Sequence, residues 1–253
     1  MKIVYVVHDF FPRFYGGTER YVLNLAKQMQ RMGHSVMVLT YGLEEAVQSY
    51  SDRIEEIFYK TYLFEEIPVL SVRHRLIPAD IGCIVEDSMM RHAIKEILAP
   101  MGITIMHIAH PMRMPSYMSA QDLGIPVVAT LTDFWLLCPR GRFYKPDYSL
   151  CNSPEGGKKC MEECGVHESI LHRYTQANRF FNHIDRIISP SKFLIDIFRA
   201  NHWNREIIHI SHGVDYHYVK PARRERRNHE SISFGYTGVV TRFKGVDLLM
   251  KSF

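Results

Sequence analysis

Four cysteines lie close together in a segment with little apolar material to hold it in place: Cys138, Cys151, Cys160 and Cys164. Twelve, eight and three residues separate them, and no C-x-x-C pair is present. Four thiolates around a tetrahedral zinc would fix such a loop and supply its folding free energy. An iron–sulfur cluster also takes four cysteines, and free or oxidised thiols are the remaining alternative. The spacing favours a structural metal site, with zinc ahead of an iron–sulfur cluster.

Two adjacent glycines, Gly16 and Gly17, stand between an apolar run at 3–7 and a helical pattern that follows Thr18, a good N-cap. Residues without side chains let backbone N–H groups approach a ligand, and the N-terminus of the following helix favours an anion. A tight turn without a ligand is the alternative. No G-x-G-x-x-G is present, which argues against a nicotinamide-binding fold.

His110 and Asp133 each follow an apolar run of the kind that forms a buried strand. A neutral imidazole can bond a substrate hydroxyl or take part in proton transfer, and a carboxylate can orient a hydroxyl. A structural histidine and an aspartate in an N-cap or Asx-turn are the alternatives. His107 falls within its run, and we expect it to be buried.

The segments that would position these residues alternate between strand and helix patterns. Strand-like runs are at 3–7, 34–40, 68–73, 103–108, 126–131, 186–190 and 207–211. After the helix that follows the glycines, helical patterns are at 86–99, 115–122, 168–183 and 191–201. This alternation predicts an α/β fold with a doubly wound, Rossmann-like parallel sheet of about seven strands. Residues 44–66 fit neither pattern clearly.

The domain organisation follows from two changes in composition. Residues 138–166 are rich in Cys, Gly and Pro and predict an inserted loop in a domain covering 1–219. The basic stretch at 220–230 is typical of a solvated linker, the alternative being contact with phosphate or a lipid surface. Residues 231–253 predict one strand and the start of a helix, too little for a core of their own. We expect an incomplete second domain there.

Composition limits the partners. The formal charge of +4 is too small to argue for nucleic acid, and 46% hydrophobic residues can supply a real core. No apolar run approaches the ~20 residues of a membrane span, and the N-terminus lacks the pattern of a signal peptide. A cytoplasmic location is the default. It allows weak peripheral contact with the inner face of the plasma membrane, although no clear basic amphipathic helix is present.

The order of these motifs resembles family 4 (group 1) of the glycosyltransferases, which are retaining enzymes with the two-domain GT-B fold. The likeness covers nearly all of the chain. Its carriers are Pro12, Gly16, Gly17 and Glu19 in the first loop, Gly33, His34 and Val36, then His107 and His110, "PVVATLTDFW" at 126–135, Ser191 and Phe193, "ISHGVD" at 210–215, and finally Gly238, Lys244 and Gly245.

The resemblance implies transfer of a hexose, with retention, from a nucleotide-sugar donor to a hydroxyl acceptor. The acceptor would be a polysaccharide, lipid-linked or small molecule in cell-surface polysaccharide or glycolipid synthesis, and no catalytic metal is implied. His110 and Asp133 would lie at the catalytic centre. Gly16, Gly17, Glu19, Gly238, Lys244 and Gly245 would bind substrate, with Lys244 as the chief cation for the departing diphosphate. Without the rest of its donor domain, the chain alone should not transfer sugar.

Three positions depart from the family pattern. Thr132 stands where many relatives have histidine, His212 replaces an asparagine, and Val239 replaces an arginine that in relatives holds the diphosphate. Thr132 and Val239 give some support to an alternative function, a non-catalytic module, complete as it stands, that binds carbohydrate or a partner. Against that alternative, Leu248, Leu249 and Phe253 would then lack a surface to pack on.

Overall fold

The chain folds around one nine-stranded sheet in a computed structural model that describes residues 1–214 and 234–253. The predicted linker at 220–230 lies outside these residues. The strands are β1 (Lys2–Val7), β2 (Ser35–Tyr41), β3 (Asp52–Ile54), β4 (Ile57–Phe64), β5 (Ile67–His74), β6 (Ile105–Ile108), β7 (Val127–Thr130), β8 (Arg186–Ser189) and β9 (Ile207–His209). Their order is β3-β4-β5-β2-β1-β6-β7-β8-β9. Seven strands are parallel, which confirms the predicted α/β sheet.

The segment at 44–66 forms the remaining two strands. β3 pairs antiparallel with β4, and β4 pairs antiparallel with β5. The turn between β4 and β5 has two residues, Glu65 and Glu66, and both have positive φ values of 46° and 67°. This is the geometry of a type I′ hairpin turn, which usually contains Asn or Gly. Two glutamates gave no such signal, so the hairpin was not predicted.

Helices cover both faces of the sheet. These helices are α1 (Gly17–Arg31) on one face and α2 (Ser88–Leu98), α3 (Ser116–Asp122), α5 (Ser169–His183) and α6 (Lys192–Ala200) on the other. Helix α4 (Lys158–Cys164) lies in the insertion, and α7 (Val246–Lys251) lies in the last segment. None of those in the described ranges is long and apolar enough to cross a bilayer. Side chains of β1 alternate between the faces: Tyr5 packs with Leu23 of α1, whereas Val4 and Val6 belong to the larger core under α2, α3, α5 and α6. The doubly wound arrangement is confirmed.

Two local predictions need correction. Helix α1 begins at Gly17 with Gly16 as its N-cap, so Thr18 lies inside the first turn and is not the cap. The insertion at 138–166 is not wholly irregular, since it contains a bridge between Tyr144 and Leu150 and the short helix α4.

The last segment forms α7 where the sequence predicts a helix. No strand is present at 234–238, the described part of the predicted strand. A strand needs a neighbour for its backbone hydrogen bonds, and the described residues offer none there. The assignment of 231–253 to a second domain stays a prediction.

The connections of the sheet change direction between β1 and β6. The chain runs from β1 to β2 and then to β5 on one side, and continues through β6 to β9 on the other. The loops after β1 and β6 therefore diverge, although the two strands are hydrogen-bonded neighbours. In open α/β sheets, ligands bind outside the carboxyl ends of the strands at such a switch point.

The His107 ring lies in a part of the sheet that excludes water. Its Nε2 lies 2.7 Å from Thr130 Oγ1, its ring packs on Tyr5, and burial lowers its pKa to about 4. The folded state keeps the ring neutral, whereas the unfolded chain protonates near pH 6.5. The contribution of the neutral ring to the free energy of unfolding is therefore complete above pH 6.5 and is lost as the pH falls towards 4.

We therefore predict that His107→Gln lowers the free energy of unfolding by about 1–3 kcal/mol at pH 7, because packing is lost. Relative to the wild type, the variant should gain roughly 3 kcal/mol between pH 7 and pH 4, so that the difference disappears or changes sign, since glutamine does not titrate. Urea unfolding of both proteins across this range measures it. A difference that is independent of pH would contradict the buried neutral ring.

Candidate functional site

Polar side chains from the ends of β1, β6 and β7 meet at the switch point. His8 directly follows β1, His110 comes two residues after β6, and Asp133 three residues after β7. The rings of His8 and His110 lie 4.2 Å apart, and Nε2 of His110 lies 3.0 Å from Oδ2 of Asp133. The sheet thus brings together the two residues that were predicted to be catalytic.

The hydrogen bonds of His110 fix which ring nitrogen carries the proton. The backbone N–H of Met112 donates to Nδ1 over 3.2 Å, so Nδ1 is an acceptor in the neutral ring. The proton then resides on Nε2, which donates it to Asp133. The His110 side chain is only 4% exposed. Both nitrogens are occupied, and the ring presents neither to solvent.

Asp133 is the accessible member of this pair, with a side chain that is 40% exposed. Its Oδ1 accepts the N–H of Trp135 over 2.8 Å, closing an Asx-turn, while Oδ2 accepts from His110. The Asx-turn, which was the alternative role for Asp133, is therefore present, and the contact with His110 was not predicted. Two donors orient the carboxylate and leave it able to accept a further hydrogen bond from a ligand.

His8 adds a second imidazole ring to the site. Its Nε2 lies 3.5 Å from Oδ2 of Asp9 and 3.8 Å from Oε1 of Glu19. Burial, together with the nearby His110 and Arg113, lowers the pKa of His8 well below its ordinary value. Burial also raises the pKa of Glu19. Both shifts follow from the partial closure of this part of the site to water.

An ion pair joins the loops that diverge at the switch point. Nη1 of Arg113, after β6, donates to Oδ1 of Asp9, after β1, and both side chains are nearly buried. Burial raises the pKa of Asp9 more than Arg113 lowers it. Arg113 has a positive φ of 69°, which is uncommon outside glycine. The pair holds the two loops, and with them the stacked histidines, in one arrangement.

The two glycines of the first loop have different surroundings. A Cβ on Gly16 would lie 2.5 Å from Oε2 of Glu19, whereas one on Gly17 would meet nothing within 4 Å. Glu19 is the third residue of α1 and is buried, and backbone N–H groups including that of Gly16 stabilise its carboxylate. This is one half of a capping box. Gly16 leaves room for Glu19, and Gly17 is the open glycine.

Arg173 of α5 holds the loop that follows Asp133. Its guanidinium donates to the carbonyls of Cys83, Trp135 and Leu136 and lies 4.5 Å from the Trp135 ring. Burial lowers its pKa. Because it holds the residues that follow Asp133, it fixes the loop that carries the exposed carboxylate.

The structure does not assemble the predicted metal site. Cys138 and Cys160 are buried, Cys151 and Cys164 are half-buried, and all four thiols are free. Within residues 1–214 and 234–253, no group of three or more His, Cys, Asp or Glu side chains is arranged to hold a metal ion. The insertion is held by other contacts, including stacking of Phe143 on Phe134 and an ion pair of Lys145 with Glu163. The zinc or iron–sulfur site stays a prediction from spacing alone.

The predicted substrate residues of the last segment are exposed or half-buried at its turns. Gly238 and Gly245 have positive φ values of 145° and 72°, and Gly245 caps α7. Lys244 is exposed and lies in the turn of 3-10 helix before it. Among the described residues, no hydrogen bond or ion pair joins Lys244 to His110 or Asp133.

Two of the three residues that depart from the family pattern make local contacts. Thr132 Oγ1 donates to the carbonyl of Ala109 over 3.2 Å, tying the loop after β7 to the loop after β6. His212 stacks on Tyr21 of α1 at 4.0 Å. Val239 is exposed, and nothing in the structure explains it.

Several residues of the candidate site were not predicted. His8 and Asp9 carry the same signal as His110, a polar residue after an apolar run, and could have been found by it. Arg173 lies on the buried stripe of α5 with Ile170 and Ala177, where a charge at an apolar position is a signal. Arg113 lies in a loop and has no such signal.

Comparison with known proteins gives one family. The sequence profile of Glycosyltransferase Family 4 matches residues 15–218. A comparison with curated protein sequences found no match.

Solved structures that are similar to the chain include MurG from Acinetobacter baumannii (13% identity, TM-score 0.47, 90% of this chain and 48% of that one). The catalytic domain of starch synthase IV from Arabidopsis thaliana, bound to ADP and acarbose, is 14% identical at a TM-score of 0.47, over 85% of this chain and 52% of that one. An alpha-glucosyltransferase in complex with UDP and DNA is 13% identical at a TM-score of 0.39, over 85% and 43%. The chain spans about half the length of these structures.

The glycine loop gives a test of the site's geometry. Gly16→Ala should lower the free energy of unfolding by about 1 kcal/mol, because the new Cβ displaces Glu19 from its capping position. Gly17→Ala should be neutral or stabilise by up to about 1 kcal/mol, since the methyl group enters open space in a helix. In a Glu19→Ala background the cost of Gly16→Ala should disappear. Thermal unfolding of the five proteins measures this, and equal costs in both backgrounds would contradict the contact.

Proposed function

The chain belongs to glycosyltransferase family 4, and from this membership we propose that it forms the N-terminal, acceptor-side part of a retaining glycosyltransferase of the GT-B fold. The complete enzyme would transfer a hexose from a nucleotide sugar to a hydroxyl group. The observation that carries the proposal is the exposed carboxylate of Asp133, held by His110 and Trp135 at the switch point of the sheet.

The geometry suits the binding of an acceptor hydroxyl. Asp133 has an oriented, partly exposed acceptor group at the edge where open α/β sheets bind their ligands. A hydroxyl that donates to this carboxylate would have its oxygen directed towards the sugar carbon. Such positioning is a large part of what an enzyme contributes to a reaction between two bound molecules.

His110 acts through Asp133 in this proposal. Its ring is buried, its Nδ1 is occupied by Met112 and its Nε2–H by Asp133, so no nitrogen is left for the substrate. It is therefore a positioning residue that fixes one oxygen of the carboxylate. His8, stacked against it, and the ion pair of Asp9 with Arg113 keep that ring in place.

The donor side of the reaction needs positive groups, because negative charge develops on the departing diphosphate. In this chain the open candidates are the backbone N–H groups at Gly17, in the exposed first turn of α1, and the exposed ammonium group of Lys244. The Glu19 side chain already occupies the space beside Gly16. We therefore propose that Glu19 caps the helix and shapes the loop, and that the diphosphate approaches the backbone at Gly17.

The setting of the enzyme is part of the same proposal. We place it in cell-surface polysaccharide or glycolipid synthesis, in the cytoplasm, with peripheral contact at the inner face of the plasma membrane. The acceptor would be a polysaccharide, lipid-linked or small molecule. No catalytic metal is proposed, and zinc or an iron–sulfur cluster in the insertion would have a structural role only.

The first test concerns the carboxylate. In the protein extended by any reading frame that follows codon 253, Asp133→Asn should lower kcat about 10²–10⁴-fold, because a charged carboxylate with two acceptor oxygens becomes a neutral amide with one. His110→Ala should lower kcat and leave KM for the donor unchanged, and His110→Gln should recover part of the loss through its N–H donor. Release of nucleoside diphosphate from a panel of nucleotide sugars is the assay.

Asp147→Asn is the matched control, because Asp147 closes a similar Asx-turn with Ser149 in the insertion and is fully exposed. It should leave kcat unchanged. If Asp133→Asn behaves like this control, the proposed role of the carboxylate is wrong.

The second test uses the 253-residue chain itself. We expect it to release no nucleoside diphosphate from any nucleotide sugar, because the remaining cations and donors that would stabilise the leaving group are proposed to belong to a second domain. Acceptor-dependent release by this chain would contradict the proposed division of the site. No release by a longer protein with any donor would contradict the glycosyltransferase activity.

A further inference from the structure

A turn of the insertion lies directly against the exposed carboxylate of the site. The N–H of Gly141 donates to the carbonyl of Cys138 over 2.8 Å, and Gly141 has a φ of 66°. A Cβ at Gly141 would lie 3.2 Å from Oδ2 of Asp133, so the backbone of the turn reaches the carboxylate. Arg140 and Arg142 flank this glycine. Because consecutive Cα atoms are about 3.8 Å apart, both arginines start within one residue of the catalytic edge.

These two arginines face a common hollow of about 60 Å³. Its wall is formed by Arg140, Arg142, Tyr144, Lys145, Pro146, Tyr148 and Phe243. The guanidinium of Arg142 lies 4.2 Å from the ring of Phe243, and that of Arg242 lies 4.4 Å from the ring of Tyr148. Cations and aromatic rings therefore surround a space that holds a small group and excludes a nucleoside.

The charges around the hollow are not balanced. Lys145 pairs with Glu163 over 3.0 Å, and Asp147 is engaged in its own turn with Ser149. Arg140 and Arg142 are exposed, and neither makes a hydrogen bond or ion pair with another described residue. Two like charges directed at one small space repel each other, and an anion placed between them would remove that repulsion.

We propose that Arg140 and Arg142 bind a phosphoryl group of the acceptor, so that the enzyme selects a phosphorylated acceptor. The proposal rests on the proposed function, because it takes Asp133 as the group that orients the acceptor hydroxyl. The planar guanidinium pairs with phosphate oxygens through two parallel hydrogen bonds, which gives direction as well as charge. A phosphoryl group held in the hollow would fix the acceptor at a set distance from Asp133.

The acceptor is the source that the geometry favours over the donor. Six of the seven residues that line the hollow belong to the insertion, and the turn that carries both arginines touches Asp133. The donor's diphosphate, by contrast, is proposed to approach Gly17 and Lys244, neither of which lines the hollow.

The test titrates the 253-residue chain with inorganic phosphate at constant ionic strength and follows the thermal unfolding midpoint. Phosphate should raise the midpoint of the wild type. In the double variant Arg140→Gln, Arg142→Gln, the apparent affinity for phosphate should fall by at least about tenfold, because two charge-assisted contacts are lost. Without phosphate, the circular dichroism of the variant should match the wild type, since both side chains are exposed, and its midpoint should be equal or slightly higher, since the repulsion between the two charges is removed.

The matched control is Arg53→Gln with Arg75→Gln, two exposed arginines of β3 and the loop after β5. It removes the same charge and should bind phosphate like the wild type. Equal phosphate binding by the wild type, the double variant and the control would overturn the proposal. An equal rise of the unfolding midpoint with acetate in place of phosphate would also overturn it. Uridine diphosphate is the last ligand in the test. If the double arginine variant no longer binds uridine diphosphate but still binds phosphate, the site belongs to the donor and the proposal is wrong.

These measurements do not depend on sugar transfer. Failure of a longer protein to release nucleoside diphosphate would therefore contradict the proposed function while leaving the phosphate result intact. A negative phosphate result, in turn, would leave the test of Asp133 unaffected.

Discussion

The structure depends on one topological constraint, the change of direction between β1 and β6. These strands are neighbours in the sheet, but the chain leaves them towards opposite sides, so a crevice opens where their loops diverge. Apolar side chains cannot close that crevice without also closing the site. The protein holds it with polar contacts, namely the stacked rings of His8 and His110 and the ion pair of Asp9 with Arg113. The edge that carries the candidate site is thus also the place where the two halves of the sheet are joined.

Burial decides how these polar groups behave. An imidazole in a closed environment is neutral, and a neutral imidazole has one donor and one acceptor. At His110 the N–H of Met112 takes the acceptor, which leaves a single direction for the proton, towards Asp133. The charge that a ligand meets is therefore confined to the exposed carboxylate. The neighbouring His8 is disfavoured in its charged form, since burial, His110 and Arg113 all lower its pKa.

The fold could be predicted from the sequence because parallel strands buried on both faces are continuous apolar runs, and His110 and Asp133 could be placed at strand ends for the same reason. The hairpin of β4 and β5 could not, since Glu65 and Glu66 are not residues that favour its turn. Gly16 was predicted to admit a ligand, but it leaves room for Glu19, a contact that depends on a side chain folding back. The cysteine spacing shows only which thiols are near in sequence, because tertiary packing sets the direction of each side chain. In the described part of the chain, no such side chains are grouped to hold a metal ion.

The insertion is connected to the carboxylate of Asp133, because the segment leading into it is held at Trp135 and one of its turns returns to Asp133. Trp135, which begins the segment leading into it, donates to Asp133 through its backbone, and Arg173 of α5 holds the carbonyl of the same residue. Gly141 then brings the chain back against Asp133. A loop anchored on both sides of a functional group cannot shift without moving that group.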